Sequence, residues 1–225
     1  MAIAPDTVAA LVGGGIPSLA LLEDLAKKYK TVVPIYVVSG FIWEPAERFW
    51  LRRYHRQMKR RHNSIGELID IAHPIKSTYR RGFWATDGGE VPGPYAPDST
   101  MELPGRNLTL LSSTSVFCHV NGIKELAVGT SADNPFADSS PEFYKQFEEL
   151  TKLSFRKKVK LLTPLSQLKR PNIIKKSDDL PLEMTFSCIN PQDNQHCGNC
   201  YKCQQRRRCF EEAKVQDPTN YLKKP

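Results

Sequence analysis

Four cysteines near the C-terminus have the spacing of a metal site. Cys188, Cys197, Cys200 and Cys203 form the pattern C-x8-C-x2-C-x2-C. Thiolates two residues apart can reach one ion from a tight turn, and four thiolates complete the tetrahedral coordination of Zn²⁺. The pattern therefore predicts a closed, structural zinc site. His196 is adjacent to a ligand and could compete for the role, but four thiolates leave it as a bystander.

An iron–sulfur cluster and a set of free thiols are the alternatives at these cysteines. The ferredoxin pattern requires a further cysteine after a three-residue gap, followed by proline. Here Cys209 comes after a longer gap and precedes Phe210, so zinc is the favoured metal. Cys209 and Cys118 are interpreted as ordinary buried thiols. A disulfide framework is not expected in a chain of this length without an export signal.

A run of glycines near the N-terminus has the composition of an anion-binding turn. Gly13, Gly14 and Gly15 follow an apolar run and precede a helical pattern with Ser18 in its first turn. Bare backbone N–H groups and the helix dipole favour phosphate at such a turn. The run matches neither the Walker A pattern nor the dinucleotide fingerprint. A turn required only for close packing of strand on helix is the alternative.

The elements that position these features alternate between strand and helix. The runs 7–12 and 31–38 are apolar and rich in β-branched residues, and Leu19, Leu22 and Leu25 recur between them at helical spacing. This is a βαβ unit, which predicts an α/β fold with a parallel sheet. The other predicted elements are strands over 126–130 and 159–162, helices over 45–62, 107–120 (largely buried) and 141–150, and a long loop over 87–105.

Composition and charge exclude several classes of protein. Of the 225 residues, 40% are hydrophobic and 25% are charged, as in folded globular proteins rather than disordered ones. No apolar run approaches the ~18 residues of a membrane helix, and the first residues lack a secretory signal. We therefore expect a cytoplasmic protein without a membrane partner. The net charge of +8 favours an anionic partner.

One face of the predicted helix over 45–62 is a candidate nucleic-acid surface. A basic stripe of this kind would attract a tRNA or a nucleotide. A solvated surface is the more common use of such a face. The residues concerned are Arg52, Arg53, Arg56, Lys59, Arg60 and Arg61.

Several residues follow predicted strands, where open parallel sheets bind their ligands. Trp43 and Glu44 follow the second strand, and Asp133 and Asp138 follow the third. Trp43 could instead pack in the core. The aspartates could hold substrate or Mg²⁺, or only cap turns. Arg106, in the long loop, could contact a purine-like base or a phosphate, or form an ion pair within the loop.

Taken together, these motifs resemble the 7-cyano-7-deazaguanine synthases, which belong to the PP-loop group of ATP pyrophosphatases. The resemblance covers nearly the whole chain and depends on the order and spacing of several short segments. These are Leu103-Pro104-Gly105-Arg106-Asn107, Asp138 with Pro141-Glu142-Phe143, Thr163-Pro164-Leu165, Leu182-Glu183-Met184-Thr185-Phe186-Ser187-Cys188, and the cysteine cluster.

The resemblance implies a fold and an activity. The fold would be a PP-loop domain over 1–180, of the adenine nucleotide α-hydrolase (HUP-like) type with helices on both faces of a parallel sheet. A zinc-binding helical segment over 181–225 would pack on it, and a homodimer is compatible with this architecture. The activity would be ATP-dependent conversion of a 7-deazapurine carboxylate to the amide and then the nitrile with ammonia. Structural Zn²⁺ and ATP with Mg²⁺ are the implied cofactors, and small molecules are favoured over nucleic acid as partners.

The resemblance also implies roles for individual residues. Ser18 and Arg170 would be catalytic. The nucleotide would contact Gly13, Gly14, Gly15, Ser18 and Arg106. The substrate would contact Trp43, Glu44, Arg106, Asn107, Asp133 and Asp138. The metal ligands would be Cys188, Cys197, Cys200 and Cys203.

The chain departs from the family pattern in its phosphate machinery. The family loop is S-G-G-x-D-S, whereas Gly13 replaces its first serine and Pro17 its aspartate. Proline is tolerated in a first helical turn but lacks an N–H. Arg170 lies where the family has S-K-A-E, and arginine does not substitute simply for lysine. Two further hypotheses follow. One is a non-catalytic relative that binds a nucleotide or deazapurine. The other is a zinc-stabilised tRNA-binding module that uses the basic helix together with Arg206, Arg207 and Arg208.

Overall fold

Five parallel strands form one sheet in the computed structural model, which describes residues 6–223. The strand order is β3-β2-β1-β4-β5, and all neighbours are parallel. β1 is therefore central, with Val8 opposite Val32 of β2 and Ala10 opposite Ala127 of β4. The strands are β1 (Thr7–Leu11), β2 (Thr31–Val38), β3 (Ile69–Ala72), β4 (Glu125–Val128) and β5 (Lys160–Leu162).

Residues 6–223 form seven α-helices. They are α1 (Ile16–Ala26), α2 (Glu44–Arg61), α3 (Trp84–Asp87), α4 (Arg106–Val120), α5 (Pro141–Phe155), α6 (Arg170–Lys176) and α7 (Tyr201–Ala213). All of them except α3 pack on one or the other face of this sheet. Side chains of α1, α2, α6 and α7 pack with Val8 and Ala10 on one face. Side chains of α4 and α5 pack with Ala9 and Leu11 on the other. Alternate residues of β1 thus enter opposite cores, because successive side chains of a strand point to opposite faces.

The predicted α/β architecture is confirmed, with differences in detail. β3 was not predicted, because it is a short edge strand in which only Ile69 and Ile71 are partly covered. α6 was not predicted either, since it has only seven residues and begins with Arg170-Pro171. The helix over 107–120 forms, but the expectation that it is largely buried is wrong. It packs through one side only, and Val120 on its other side is 75% exposed.

The C-terminal segment packs on the sheet domain and on its own long loop. Phe210 and Ala213 of α7 enter the same core cluster as Leu19 of α1. The loop over 87–105 lies against the start of α7, where the N–H of Tyr201 donates to the carbonyl of Pro92 (2.9 Å). No helix among residues 6–223 combines the length and apolar character needed to cross a bilayer. The contacts with α1 and with the long loop hold the C-terminal segment against the sheet domain.

Candidate active site

A cavity of about 590 Å³ lies at the carboxyl ends of the central strands. Its walls come from the loop after β1, the start of α2, the loop after β4, the start of α4, and the segment leading into α7. Neighbouring β1 and β4 connect to helices on opposite faces of the sheet, and such a switch point is where open α/β sheets bind ligands. Predicted site residues that line the cavity are Gly15, Trp43, Arg106, Asn107, Asp138 and Arg170.

The glycine loop after β1 is braced from inside and open at its tip. The N–H of Gly13 donates to Oγ of Ser18 (2.9 Å), and the hydroxyl of Tyr54 donates to the carbonyl of Gly13 (2.5 Å). Ser18 thus holds the shape of the loop rather than lining the cavity. Gly15 is the N-cap of α1 without any side-chain cap, and it lines the cavity together with Ile16. The tip is therefore an uncapped helix N-terminus, which is a favourable binding site for an anion.

Glu47 of α2 reaches this loop, which the sequence analysis did not foresee. Its Oε1 accepts the N–H of Gly14 (2.9 Å), and its Oε2 accepts the hydroxyl of Tyr36 (2.7 Å). The neighbouring carboxylate raises the pKa of Tyr36, in addition to the larger effect of burial. The tyrosine therefore stays protonated and donates. The available signal was the position of Glu47 in the first turn of a helix that follows β2.

An aromatic stack forms one wall of the cavity. Trp43 lies parallel to Phe41 (4.8 Å between ring centroids) and also stacks on Trp84 (5.6 Å). The guanidinium of Arg106 lies 4.5 Å from the centre of the Phe41 ring and donates to Oγ of Ser39 (2.6 Å). The sequence left Trp43 as either a ligand-contacting or a core residue. In the structure it is largely buried and also lines the cavity. A planar ligand would find flat apolar rings and a fixed cation here.

Glu44 is placed differently from its predicted role. Its carboxylate is buried and accepts the N–H groups of Ser39 and Gly40 (2.8–3.1 Å). Burial raises its pKa, against the opposing effect of those two N–H donors. Glu44 is not among the residues that line the cavity. Its position is that of a residue that fixes the turn between β2 and α2.

The two predicted aspartates each fix the start of a helix. Asp138 accepts the backbone N–H of Asn107 at the start of α4 (2.8 Å), and both residues line the cavity. Asp133 accepts the backbone N–H of Arg170 at the start of α6 (3.4 Å) and lies 3.8 Å from the guanidinium of that arginine. Asp133 does not itself line the cavity. Both contacts join segments far apart in sequence and are not local turn caps, and Asp133 orients a cation that does face the cavity.

Lys202 is a further cation of the cavity, in addition to Arg106 and Arg170, and the sequence analysis did not connect it with this site. It projects from the first turn of α7, lines the cavity with Arg170 and donates to Oε1 of Gln205 (3.1 Å). Burial, together with the charge of Arg170, lowers the pKa of Lys202 to about 8. The pair makes this end of the cavity electropositive, as a site for anionic groups requires.

The four predicted cysteines converge on one point. All are buried, and their sulfur atoms lie within 4.8 Å of one another. The Cys188–Cys200 and Cys197–Cys203 sulfur pairs are 3.8 and 3.9 Å apart. The cluster is therefore a group able to hold a metal ion. Because Cys188 also lines the cavity, this group is continuous with the candidate active site.

The turn that carries these cysteines is closed by the C-terminal tail. Gly198 adopts φ +78°, and a Cβ there would lie 2.1 Å from the carbonyl oxygen of Lys223. His196 accepts the N–H of Ser187 through Nε2 (3.2 Å), and burial lowers its pKa to about 3. The imidazole is thus neutral and already engaged, in agreement with its interpretation as a bystander.

The basic residues considered as a nucleic-acid surface are partly engaged within the protein. Arg52 lies 2.8 Å from Asp70, Lys59 pairs with Glu67, and Arg61 lies 2.5 Å from Asp179. At the C-terminus, buried Arg206 donates to the carbonyl of Leu182 (3.0 Å), and Arg207 donates to the carbonyl of Gly198 (2.7 Å). These contacts neutralise part of the surface or place it inside the fold.

The parallel sheet, the glycine loop after its first strand and the cavity above that loop define an α/β protein of the PP-loop class. U34-tRNA thiolase NcsA from Methanococcus maripaludis, solved with its [4Fe-4S] cluster, has this fold. The two structures superpose with a TM-score of 0.51 over 94% of this chain and 69% of the NcsA chain. Their sequences are 13% identical, so the likeness is one of fold alone.

Sequence comparison gives the family. The model of the family described as Queuosine biosynthesis protein QueC matches residues 85–214. The 7-cyano-7-deazaguanine synthase of Methanothrix thermoacetophila is 37% identical over 94% of this chain and 96% of its own. That of Methanococcus maripaludis strain C7 is 32% identical over 71% of this chain and 76% of its own. The chain therefore belongs to the QueC family, and the resemblance found in its motifs is confirmed.

Proposed function

We propose that this protein is an ATP-dependent carbon–nitrogen ligase that converts a 7-deazapurine carboxylate to the amide and then the nitrile. The carboxylate attacks the α-phosphorus of ATP, which gives an acyl adenylate and releases pyrophosphate. Ammonia displaces AMP to form the amide. A second ATP activates the amide oxygen, and loss of AMP leaves the nitrile. The observation that carries this proposal is one cavity that joins the glycine loop to the Arg106–Asn107 segment in a QueC family member.

The cavity is suited to the activation step, because a carboxylate is a poor electrophile until its oxygen carries a leaving group. The open tip at Gly15 and the N-terminus of α1 would take phosphate. Arg170 and Lys202 would stabilise the departing pyrophosphate. Trp43 would take the flat face of the base. Holding both reactants in one cavity supplies the orientation on which the reaction depends.

We infer that the four cysteines hold a structural Zn²⁺. With Zn–S bonds of about 2.3 Å, a tetrahedron has edges of about 3.8 Å. Two of the sulfur pairs are 3.8 and 3.9 Å apart, and all four sulfurs lie within 4.8 Å of one another. A four-iron cluster binds each cysteine through a different iron, which would separate the sulfurs further. Four thiolates leave zinc no open position. The ion would therefore support the fold and take no part in the chemistry.

Pyrophosphate release tests the proposed reaction. Zinc-loaded protein supplied with ATP, Mg²⁺, ammonium and 7-carboxy-7-deazaguanine should release pyrophosphate. It should also form a product whose mass is that of the acid plus one ammonia minus two water molecules. Reactions that lack the carboxylate are the control for simple ATP hydrolysis. Folded, zinc-loaded protein that turns over none of a panel of carboxylates would contradict the proposal.

A second candidate is a relative that binds the same ligands without turnover. Pro17 favours it, because proline lines the cavity and has no N–H at the first turn of α1. The variant Pro17→Asp separates the two functions in the same assay. If it releases pyrophosphate where the wild type releases none, the natural protein is a binder. Wild-type turnover would exclude this candidate.

A further inference from the structure

The carboxylate of Glu47, a residue of α2, is held in a fixed position against the glycine loop. Each of its oxygens accepts one hydrogen bond, from the N–H of Gly14 (2.9 Å) and from the hydroxyl of Tyr36 (2.7 Å). Its stem also packs against the loop, since a Cβ on Gly14 would lie 2.8 Å from Cγ of Glu47. Two hydrogen bonds and this packing hold the carboxylate in a single place. A ligand that binds at the loop would therefore contact the Glu47 carboxylate in this fixed position.

This carboxylate lines the same cavity as the open tip of the loop at Gly15 and Ile16. A polyphosphate at that tip would lie beside a negative charge in a partly buried site, where like charges repel strongly. Each oxygen of Glu47 has one protein donor and keeps further acceptor capacity toward the cavity. Mg²⁺ is usually bound by one or two carboxylates together with the phosphates of a substrate.

We propose that Glu47 binds the magnesium ion of a nucleotide held at the glycine loop. It supplies from α2 a carboxylate to the cation that accompanies the nucleotide. The loop would thus accept the phosphates as their magnesium complex and reject the metal-free nucleotide. This inference rests on the proposed function, because it assumes that a nucleotide binds in this cavity.

The test compares nucleotide affinity with and without magnesium in the variant Glu47→Gln. Glutamine has the same shape but carries no charge. Its amide oxygen can accept the N–H of Gly14, and its NH2 can donate to the hydroxyl of Tyr36, which reverses that second hydrogen bond. The probe is α,β-methylene-ATP, measured by calorimetry in excess Mg²⁺ and again in EDTA. The matched control is Glu67→Gln, which removes the same charge from a carboxylate whose side chain is 82% exposed and pairs with Lys59. Thermal melting verifies that both variants are folded.

Wild type and Glu67→Gln should bind the probe roughly a hundredfold more tightly in Mg²⁺ than in EDTA. Glu47→Gln should reduce this ratio to a few-fold, by weaker binding in Mg²⁺ and tighter binding in EDTA. An unchanged ratio in Glu47→Gln would overturn the inference and leave the proposed function intact. Tighter binding in Mg²⁺ as well as in EDTA would also overturn it, even with a smaller ratio, because Glu47 would then be only a competing anion. If no protein binds the probe in either buffer, the proposed function fails and this inference fails with it.

Discussion

Replacement of Cys200 by serine should cause a large loss of stability. Cys200 is buried immediately before α7, and its sulfur lies 3.8 Å from that of Cys188. Binding of structural zinc contributes on the order of 10 kcal/mol to the folding of small zinc domains, so loss of one ligand should cost several kcal/mol. At roughly 2–4 °C per kcal/mol for a chain of this size, we expect the melting temperature to fall by about 10 °C or more.

The matched control is Cys118→Ala, which alters a buried cysteine of α4 outside the cluster. Burial raises the pKa of the Cys118 thiol, so this thiol stays protonated. Replacing Cys118 by alanine therefore removes only packing contacts in the hydrophobic core. Its melting temperature should fall by a few degrees, and its zinc content should stay at about one per chain. Metal analysis and melting curves distinguish the two effects. If Cys200→Ser melts no lower than Cys118→Ala, or if chelation leaves the wild-type melting curve unchanged, the cluster is not a structural metal site.

Loss of the metal should also abolish ligand binding. The segment Phe186–Ile189, which carries the first cysteine, forms part of the cavity wall. The N–H of Phe186 donates to the carbonyl of Gly14 (2.6 Å), so the cysteine-bearing segment is hydrogen-bonded directly to the glycine loop. A displaced cysteine turn would therefore open one wall of the cavity and disturb the loop at the same time.

Replacement of Gly14 by alanine should also have a large effect. The added methyl group would lie 2.8 Å from Cγ of Glu47 and 3.1 Å from the carbonyl oxygen of Phe186, closer than non-bonded carbon atoms tolerate. The backbone of Phe186 cannot move freely, so the loop or Glu47 must shift. Overpacking of this kind costs about 1–3 kcal/mol. We expect a melting temperature lower by about 5 °C and nucleotide affinity reduced by about tenfold or more.

Gly93→Ala provides the control for this substitution. Gly93 lies in the long loop, and a Cβ there would meet no atom within 4 Å. Melting temperature and calorimetric affinity should both stay close to those of the wild type. If Gly14→Ala behaves in the same way, the close approach of Glu47 and Phe186 to the glycine loop does not determine its shape.

Sequence analysis predicts the cysteine cluster well, because ligands two residues apart are constrained by one turn of chain. It also predicts the central strands well, since continuous apolar runs such as 31–38 have few other uses. The same local reasoning cannot find β3, a four-residue strand at the edge of the sheet in which only Ile69 and Ile71 are partly covered. Nor does it identify the exposed side of α4, because that side carries apolar residues such as Val116 and Val120.

The candidate site was predicted only in part, because its contacts join elements far apart in sequence. The sequence left two interpretations of the glycine turn open, phosphate binding and close packing, and the glycines of this turn differ in their surroundings. Gly14 is packed against Glu47 and Phe186, whereas Gly15 opens on the cavity. Glu47 reaches the loop across 33 residues, and Lys202 approaches Arg170 from another helix. No spacing rule links such pairs before the sheet order is known.

The crystal structure of the zinc-loaded protein with α,β-methylene-ATP and Mg²⁺ tests most directly whether this cavity is a nucleotide site. Our account predicts the phosphates at the amides of Gly15 and Ile16, with the cation between them and Glu47. It also predicts the base in the same cavity. A glycine loop that stays empty under saturating nucleotide, or one blocked by the ring of Pro17, would contradict it.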